Sequence, residues 1–157
     1  MIYDRTIEDV TQAQALFENK VKKFFPLTDT EKNTLERGRV TVDTLNRIEN
    51  KQAEIGQILN KWHYLKEPII NKQWSNEVFF REDLQRLTEN TAKLREAFYV
   101  LNKDMPSPEA RYFFEEFNTM EKLLAEISFL IFATKQSFKR SGTVYANQST
   151  LPLKGVI

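Results

Sequence analysis

The sequence predicts an all-α protein: an elongated helical bundle of three long helices plus a short helix, ending in an extended or short β C-terminal tail. Three observations predict it. Glycine and proline are scarce, four and five residues in a chain of 157, which suits long helices rather than a turn-rich β fold. Apolar residues recur at steps of three and four over long stretches. The Thr, Ser, Pro and Gly residues fall where helices should start and stop. A chain this long buries roughly 70% of the surface its unfolded form exposes, so it can fold as one unit without staples.

The elements follow in order. Thr6 can cap a first helix from about Ile7 to Phe24, with Glu8 and Asp9 in its first turn and Lys20, Lys22 and Lys23 near its end, as the helix dipole prefers; Pro26 stops it. Thr28 followed by Glu31 is a capping box for a short helix closed by Gly38. Near Thr41 the chain turns helical again, and Leu45, Ile48, Ile55, Leu59 and Trp62 form a heptad seam with Gln52 in its missing place. In the stretch TLNRIENK, residues 44–51, Leu45 and Ile48 then pack while Asn46, Arg47, Glu49 and Asn50 point away from the seam. The segment 66–76, KEPIINKQWSN, breaks the pattern. Its Ile69, Ile70 and Trp74 would each cost roughly 1.5–3 kcal/mol to leave in water, so an ordered connection across the helices is expected.

A second seam runs through Phe80, Leu84, Leu87, Thr91, Leu94, Phe98 and Leu101, again with one polar residue near its middle. Ser107 and Pro108 then open the longest helix, whose seam is Phe113, Phe117, Met120, Leu124, Ile127, Ile131, Thr134 and Phe138. From Pro108 to Phe138 it would extend about 45 Å. Its second half is also apolar at Leu123, Phe129, Leu130 and Phe132, more than one partner helix can cover. Either the other helices surround it or another copy does. Basic residues and Gly142 suggest its end, which divides the chain into a helical bundle domain, 1–142, and an extended attachment segment, 143–157.

Composition narrows the chemistry. There is no cysteine, hence no disulfide, thiol nucleophile or thiolate metal site. With a formal charge of +1 the chain has no global field to steer it toward nucleic acid or an anionic membrane. MIYDRTIEDV carries acids where a secretory signal needs basic and then apolar residues. The longest strongly apolar stretch between charges, Ile127–Thr134, falls far short of the ~20 residues of a membrane span. A soluble protein is expected. His63 is the only histidine, expected as a partly buried side chain beside Trp62 and Tyr64 rather than a metal ligand. The adjacent pairs Glu82/Asp83 and Glu115/Glu116 diverge around a helix and suit a solvated face better than acid–base work. No phosphate-cradling loop, nucleophile elbow or metalloprotease helix is present, so neither an enzyme nor a cofactor is expected. After Glu126 no acidic residue follows, while Lys135, Lys139, Arg140 and Lys154 remain. With Phe138 and Tyr145 these could stack and pair with a single strand, but four scattered cations are weak for that, and nucleic acid is not the expected partner.

The order of short motifs carries more. YDRT at 3–6 with EDV soon after, LTDTEK at 27–32, TLNRIEN at 44–50, LTEN and LREAF between 87 and 98, EFNTMEKLL at 116–124 and SFKRSGTVYANQSTLP at 137–152 resemble a family of structural proteins encoded in the tail and baseplate regions of bacteriophages and prophages of Gram-positive bacteria. The likeness spans nearly the whole chain; Asn147 stands where the family pattern commonly has glycine. It implies a virion component made in the host cytoplasm, a homo-oligomer whose partners are other phage tail or baseplate proteins, without a small-molecule substrate. A helical adaptor or scaffold is the alternative. On either reading the packing or oligomer interface is expected at Leu45, Ile48, Leu84, Leu87, Leu94, Phe117, Met120, Leu124, Ile127, Ile131 and Phe138, and partner attachment at Lys139, Arg140, Val144, Tyr145, Leu151 and Leu153.

Overall fold

A computed structural model describes residues 2–75, 80–98, 105 and 114–148, with the side chains of 140–148 left aside. Among the described residues the chain is all-helical: α1 (Ile7–Leu16), α2 (Asp29–Gly38), α3 (Val42–Lys61), α4 (Arg81–Ala97) and α5 (Phe114–Gln148).

Both N-terminal capping boxes form. Thr6 N–H donates to the Asp9 carboxylate at 2.8 Å while its hydroxyl accepts from Asp9 N–H at 3.3 Å, and Thr28 does the same with Glu31. The first helix leaves α geometry earlier than expected, passing at Phe17–Val21 into a π-helical turn. It then ends on Phe24, which takes the left-handed conformation (φ 57°) and is 95% exposed. The N–H groups of Phe24 and Phe25 donate to the carbonyls of Val21 and Lys20, a Schellman closure with phenylalanine where glycine is usual. His63 (φ 60°) closes α3 in the same way, its N–H on Asn60 and that of Tyr64 on Leu59. This turns His63 outward, so it is exposed rather than partly buried.

Gly38 does not serve as a left-handed cap, since the residue after it is extended and no glycine among the described residues has positive φ. Its role is close approach: α1 and α2 form a hairpin in which a Cβ at position 38 would run into the Asp9 carbonyl and the Ala13 methyl. Gly56 does the same for the connection after α3, where an added Cβ would lie 2.9 Å from Ile69 Cγ1. That connection crosses α3 as expected, with Trp74 buried and Ile69 half-buried, although Ile70 stays exposed.

The core sits where α3, α4 and α5 meet. Leu45, Ile48, Leu84, Leu87, Leu94, Phe117, Met120, Leu124, Ile127 and Ile131 are all buried in one cluster, joined by Ile55, Leu59 and Leu123. Two seam positions differ. Phe80 is exposed, because it precedes α4 as its cap residue and gives its N–H to the Asp83 carboxylate at 3.1 Å. Phe138 is exposed because the burial stripe of α5 stops at Ile131. Leu101, Ser107, Pro108 and Phe113 lie outside the described residues.

At 1.5 Å per residue α5 is roughly 50 Å long, α3 about 30 Å and α4 about 25 Å. The C-terminal part of α5 therefore has fewer helices to lie against. It also runs further than the sequence suggested: Thr143–Gln148 is helix, not extended chain or strand. A glycine ends a helix when it takes the left-handed conformation; inside a helix it costs only about 1 kcal/mol relative to alanine, and α5 continues through Gly142.

Candidate functional site

The two seam positions filled by polar residues meet each other. Gln52 of α3 donates its amide to the Leu87 carbonyl at 2.8 Å and to Thr91 Oγ1 at 2.9 Å, and accepts from Asn90 at 3.3 Å. All three side chains are buried. A buried polar match of this kind penalises any shift of α3 along α4, which would leave each group without a partner. Gln52→Ala should cost about 1–3 kcal/mol in urea unfolding. The pair Gln52→Leu with Thr91→Val should fall below that, since Thr91 Oγ1 goes with its partner and Asn90 keeps its bond to the Ile70 carbonyl at 2.8 Å; an equal loss for the pair would show that shape alone matters there.

Of the polar residues of TLNRIENK, Asn46, Arg47 and Glu49 meet protein on the sides away from the seam, while Asn50 is exposed. Asn46 holds the backbone of Trp74 in both directions, at 3.0 and 2.9 Å. Glu49 is buried and accepts from both terminal nitrogens of Arg86, from the Trp74 indole at 3.3 Å, and from Asn71 and the Lys72 N–H at 3.2 Å each. Arg47 donates to Glu121 at 2.8 Å and pairs with Glu36. The reason is geometric: α3 has α4 and α5 on one side, while the connection 66–75 and the N-terminal segment cover what a two-helix seam would leave wet.

Glu121, on the buried face of α5, gathers the N-terminus. Its carboxylate accepts from Ile2 N–H at 2.7 Å and Arg5 at 3.0 Å besides Arg47, while Asn118 grips the Arg5 backbone through both its N–H and its carbonyl. Burial pulls the Arg5 guanidinium below its ordinary pKa against the opposing pull of Glu121. For Arg47 burial acts the same way, but the Glu121 and Glu36 carboxylates outweigh it and the pKa rises.

On the α1–α2 hairpin, the hydrogen bond from Arg37 at 3.1 Å, helped by the Thr6 N–H, holds Asp9 down to a pKa of about 2. A carboxylate depressed in the folded state contributes stability above its ordinary value near 4 that is lost as pH falls toward 2. Asp9→Asn should therefore cost roughly 1 kcal/mol at pH 7, after allowance for solvent screening, and the difference from wild type should close between pH 4 and 2. A cost that stays constant to pH 2 would assign it to the lost cap instead.

Asp83 is engaged by the Phe80 N–H and by Lys72 at 3.0 Å, and Glu82 is exposed. Trp62, Tyr64 and Phe98 cluster with centroids about 6 Å apart, beside a cavity of about 270 Å³ bordered by Lys66, Glu67, Lys93 and Glu96. There Lys93 is already paired with Glu67 at 2.9 Å. Among the described residues no three His, Asp or Glu side chains gather as a metal site, and no helix is long and apolar enough to cross a membrane.

What stands uncovered is the outer side of α5. Phe129 is 69% exposed and Phe132 59%, and Tyr3 (50%) lies beside Phe129 in a shallow groove with Lys122, Ala125, Glu126 and Leu130. Phe138, 64% exposed, continues the buried stripe past the point where α3 and α4 cover it. Leu123 and Leu130, by contrast, are taken up by the bundle, fully and partly. Of the attachment residues, Lys139 is exposed on α5, Arg140, Val144 and Tyr145 lie on the same helix, and Leu151 and Leu153 are outside the described residues. No family model, curated protein or solved structure matches the chain.

Proposed function

We propose that the protein is a non-enzymatic structural subunit of a phage tail or baseplate, an elongated helical module that joins other virion proteins. The uncovered outer face of α5 carries the reading: Phe129 and Phe132 stay in water on a helix whose opposite side is buried. Exposed apolar surface concentrated on one face marks an interaction site. The buried ion pairs support it from the other direction, because these charged groups are committed to holding the bundle together and not to a ligand. The resemblance of the motif order to tail and baseplate proteins is what favours that assembly. A helical adaptor outside the virion is the alternative, favoured by the same face.

Particles purified from a host producing the phage or induced prophage should carry the chain and retain it through high-salt washing. Detection in the lysate but not in particles would overturn the virion assignment and leave the adaptor. Single-strand binding that falls steeply with salt would overturn both in favour of a nucleic-acid role.

A further inference from the structure

We propose that residues 2–39 form an arm that swings off the bundle as one unit, turning about the link between Arg39 and Val40 while α3, α4 and α5 stay folded. The inference goes beyond the assembly reading and does not depend on it.

The arm holds itself together. The Asp9 carbonyl and the Ala13 methyl of α1 lie directly against Gly38 of α2. Arg37 reaches back to Asp9 at 3.1 Å, Lys20 pairs with Glu31 at 2.5 Å, and the Arg39 guanidinium sits 3.7 Å from the centre of the Phe17 ring. Among the described residues no apolar side chain of α1 or α2 belongs to the core cluster or packs against it, whereas Val40, the residue after Arg39, does. The boundary therefore falls at a single peptide, within the non-helical stretch Arg39–Thr41 that joins α2 to α3.

What docks the arm is polar. Glu121 receives the Ile2 N–H and Arg5, Asn118 holds the Arg5 backbone, and Arg47 pairs with Glu36. Such a clasp fixes direction but adds little net stability, because each charge gives up water to enter it. Its fit is also incomplete. Arg5 Nη2 and Arg47 Nη2 are buried without a hydrogen-bond partner among the described residues, and a cavity of about 200 Å³ lies between Val10, Gly38 and Arg39 on the arm and Val40, Phe114 and Phe117 beyond it. An orphan donor and a void are both penalties that opening relieves.

The clasp sits at one end of the hairpin, and the turn bearing the exposed Phe24 and Phe25 at the other, on the order of 25 Å away. A small rotation at the link therefore carries those two rings through a wide arc, and it uncovers Asn118 and Glu121 of α5.

Units that open separately are resolved by hydrogen exchange in rising urea. In the full chain the slowest amides of α1 and α2 should share one opening, about tenfold or more as frequent as that of the slowest amides of α3 and α4. Two variants locate the division. Gln52→Ala, between α3 and α4, should speed exchange in those helices by roughly fivefold or more and leave α1 and α2 within about twofold, because the docked and swung-out states lose the same contact. Glu121→Gln should speed α1 and α2 by about tenfold or more while α3 and α4 remain protected. A single opening shared by all these helices, equal acceleration of both groups by Gln52→Ala, or loss of protection from α3 and α4 together with the arm in Glu121→Gln would each overturn the proposal. Unchanged exchange of α1 and α2 in Glu121→Gln would overturn it too, since the clasp would then not be what holds the arm.

Discussion

Glu121→Gln should lower the unfolding free energy by about 3–5 kcal/mol, the usual cost of removing one partner from a buried ion pair. For a chain this size that corresponds to a fall of roughly 10 °C in melting temperature. The substitution keeps the shape of the side chain, so cavity formation contributes little; what changes is that Arg5 and Arg47 lose the charge they share. Arg5 is itself buried and would keep only the neutral acceptors Ile2 O and Asn118 Oδ1, whereas Arg47, partly exposed, would keep Glu36; one terminal nitrogen of each guanidinium already lacks a hydrogen-bond partner among the described residues. The amide can accept through one oxygen only, while the carboxylate receives Ile2 N–H and Arg5 on one oxygen and Arg47 on the other. The size of the loss measures chiefly the damage of leaving the Arg5 cation buried without a counter-charge, not the net worth of the cluster, which well-packed apolar residues of similar volume could match. Glu126→Gln, on the same helix and without an ion pair among the described residues, should stay within about 0.5 kcal/mol. A shift under about 1 kcal/mol for Glu121→Gln would mean that water reaches the Arg5 guanidinium and that the N-terminal segment is held by something else.

This cluster also marks where reading the sequence reached its limit. The aliphatic seams were legible because period and burial are local: Leu45, Ile48, Leu84, Leu87, Leu94 and Leu124 announce themselves by spacing, and the capping threonines by their partner three residues on. The polar residues at Gln52 and Thr91 stood out as gaps in two seams, and only the fold could show that the gaps face each other. Glu49 and Glu121 gave no signal. A charged residue off the seam is indistinguishable by pattern from one in solvent, and their cationic partners lie 37 to 116 residues away in the chain. Phe24 and His63 defeated the reading for a related reason, since left-handed closure is usually announced by glycine and here is imposed on bulky side chains by the bonds around them. The uncovered α5 face was legible in part: the breadth of its apolar surface was visible, but which rings the bundle would leave bare depends on where α3 and α4 end.

That division of α5 into two faces makes the next expectation the most demanding one. Leu124→Asp should abolish cooperative folding near neutral pH. Leu124 is fully buried in the cluster joining α3, α4 and α5, so the change forfeits about 1.5–3 kcal/mol of apolar burial. It also places a carboxylate without a partner among apolar side chains, a larger penalty that by itself belongs to the exceptional class of substitutions. Together they consume most or all of the ~5–15 kcal/mol that holds a typical domain folded. Phe129→Asp, five residues along the same helix, introduces the same charge at a position that is 69% exposed, and should move the melting temperature by only a few degrees. Urea unfolding of both variants separates the two faces. If Phe129→Asp unfolds the chain as Leu124→Asp does, the outer rings belong to the core and no face is left for a partner. If Leu124→Asp folds with wild-type cooperativity, the seam is not the core, and the packing of α5 against α3 and α4 has been assigned to the wrong side of the helix.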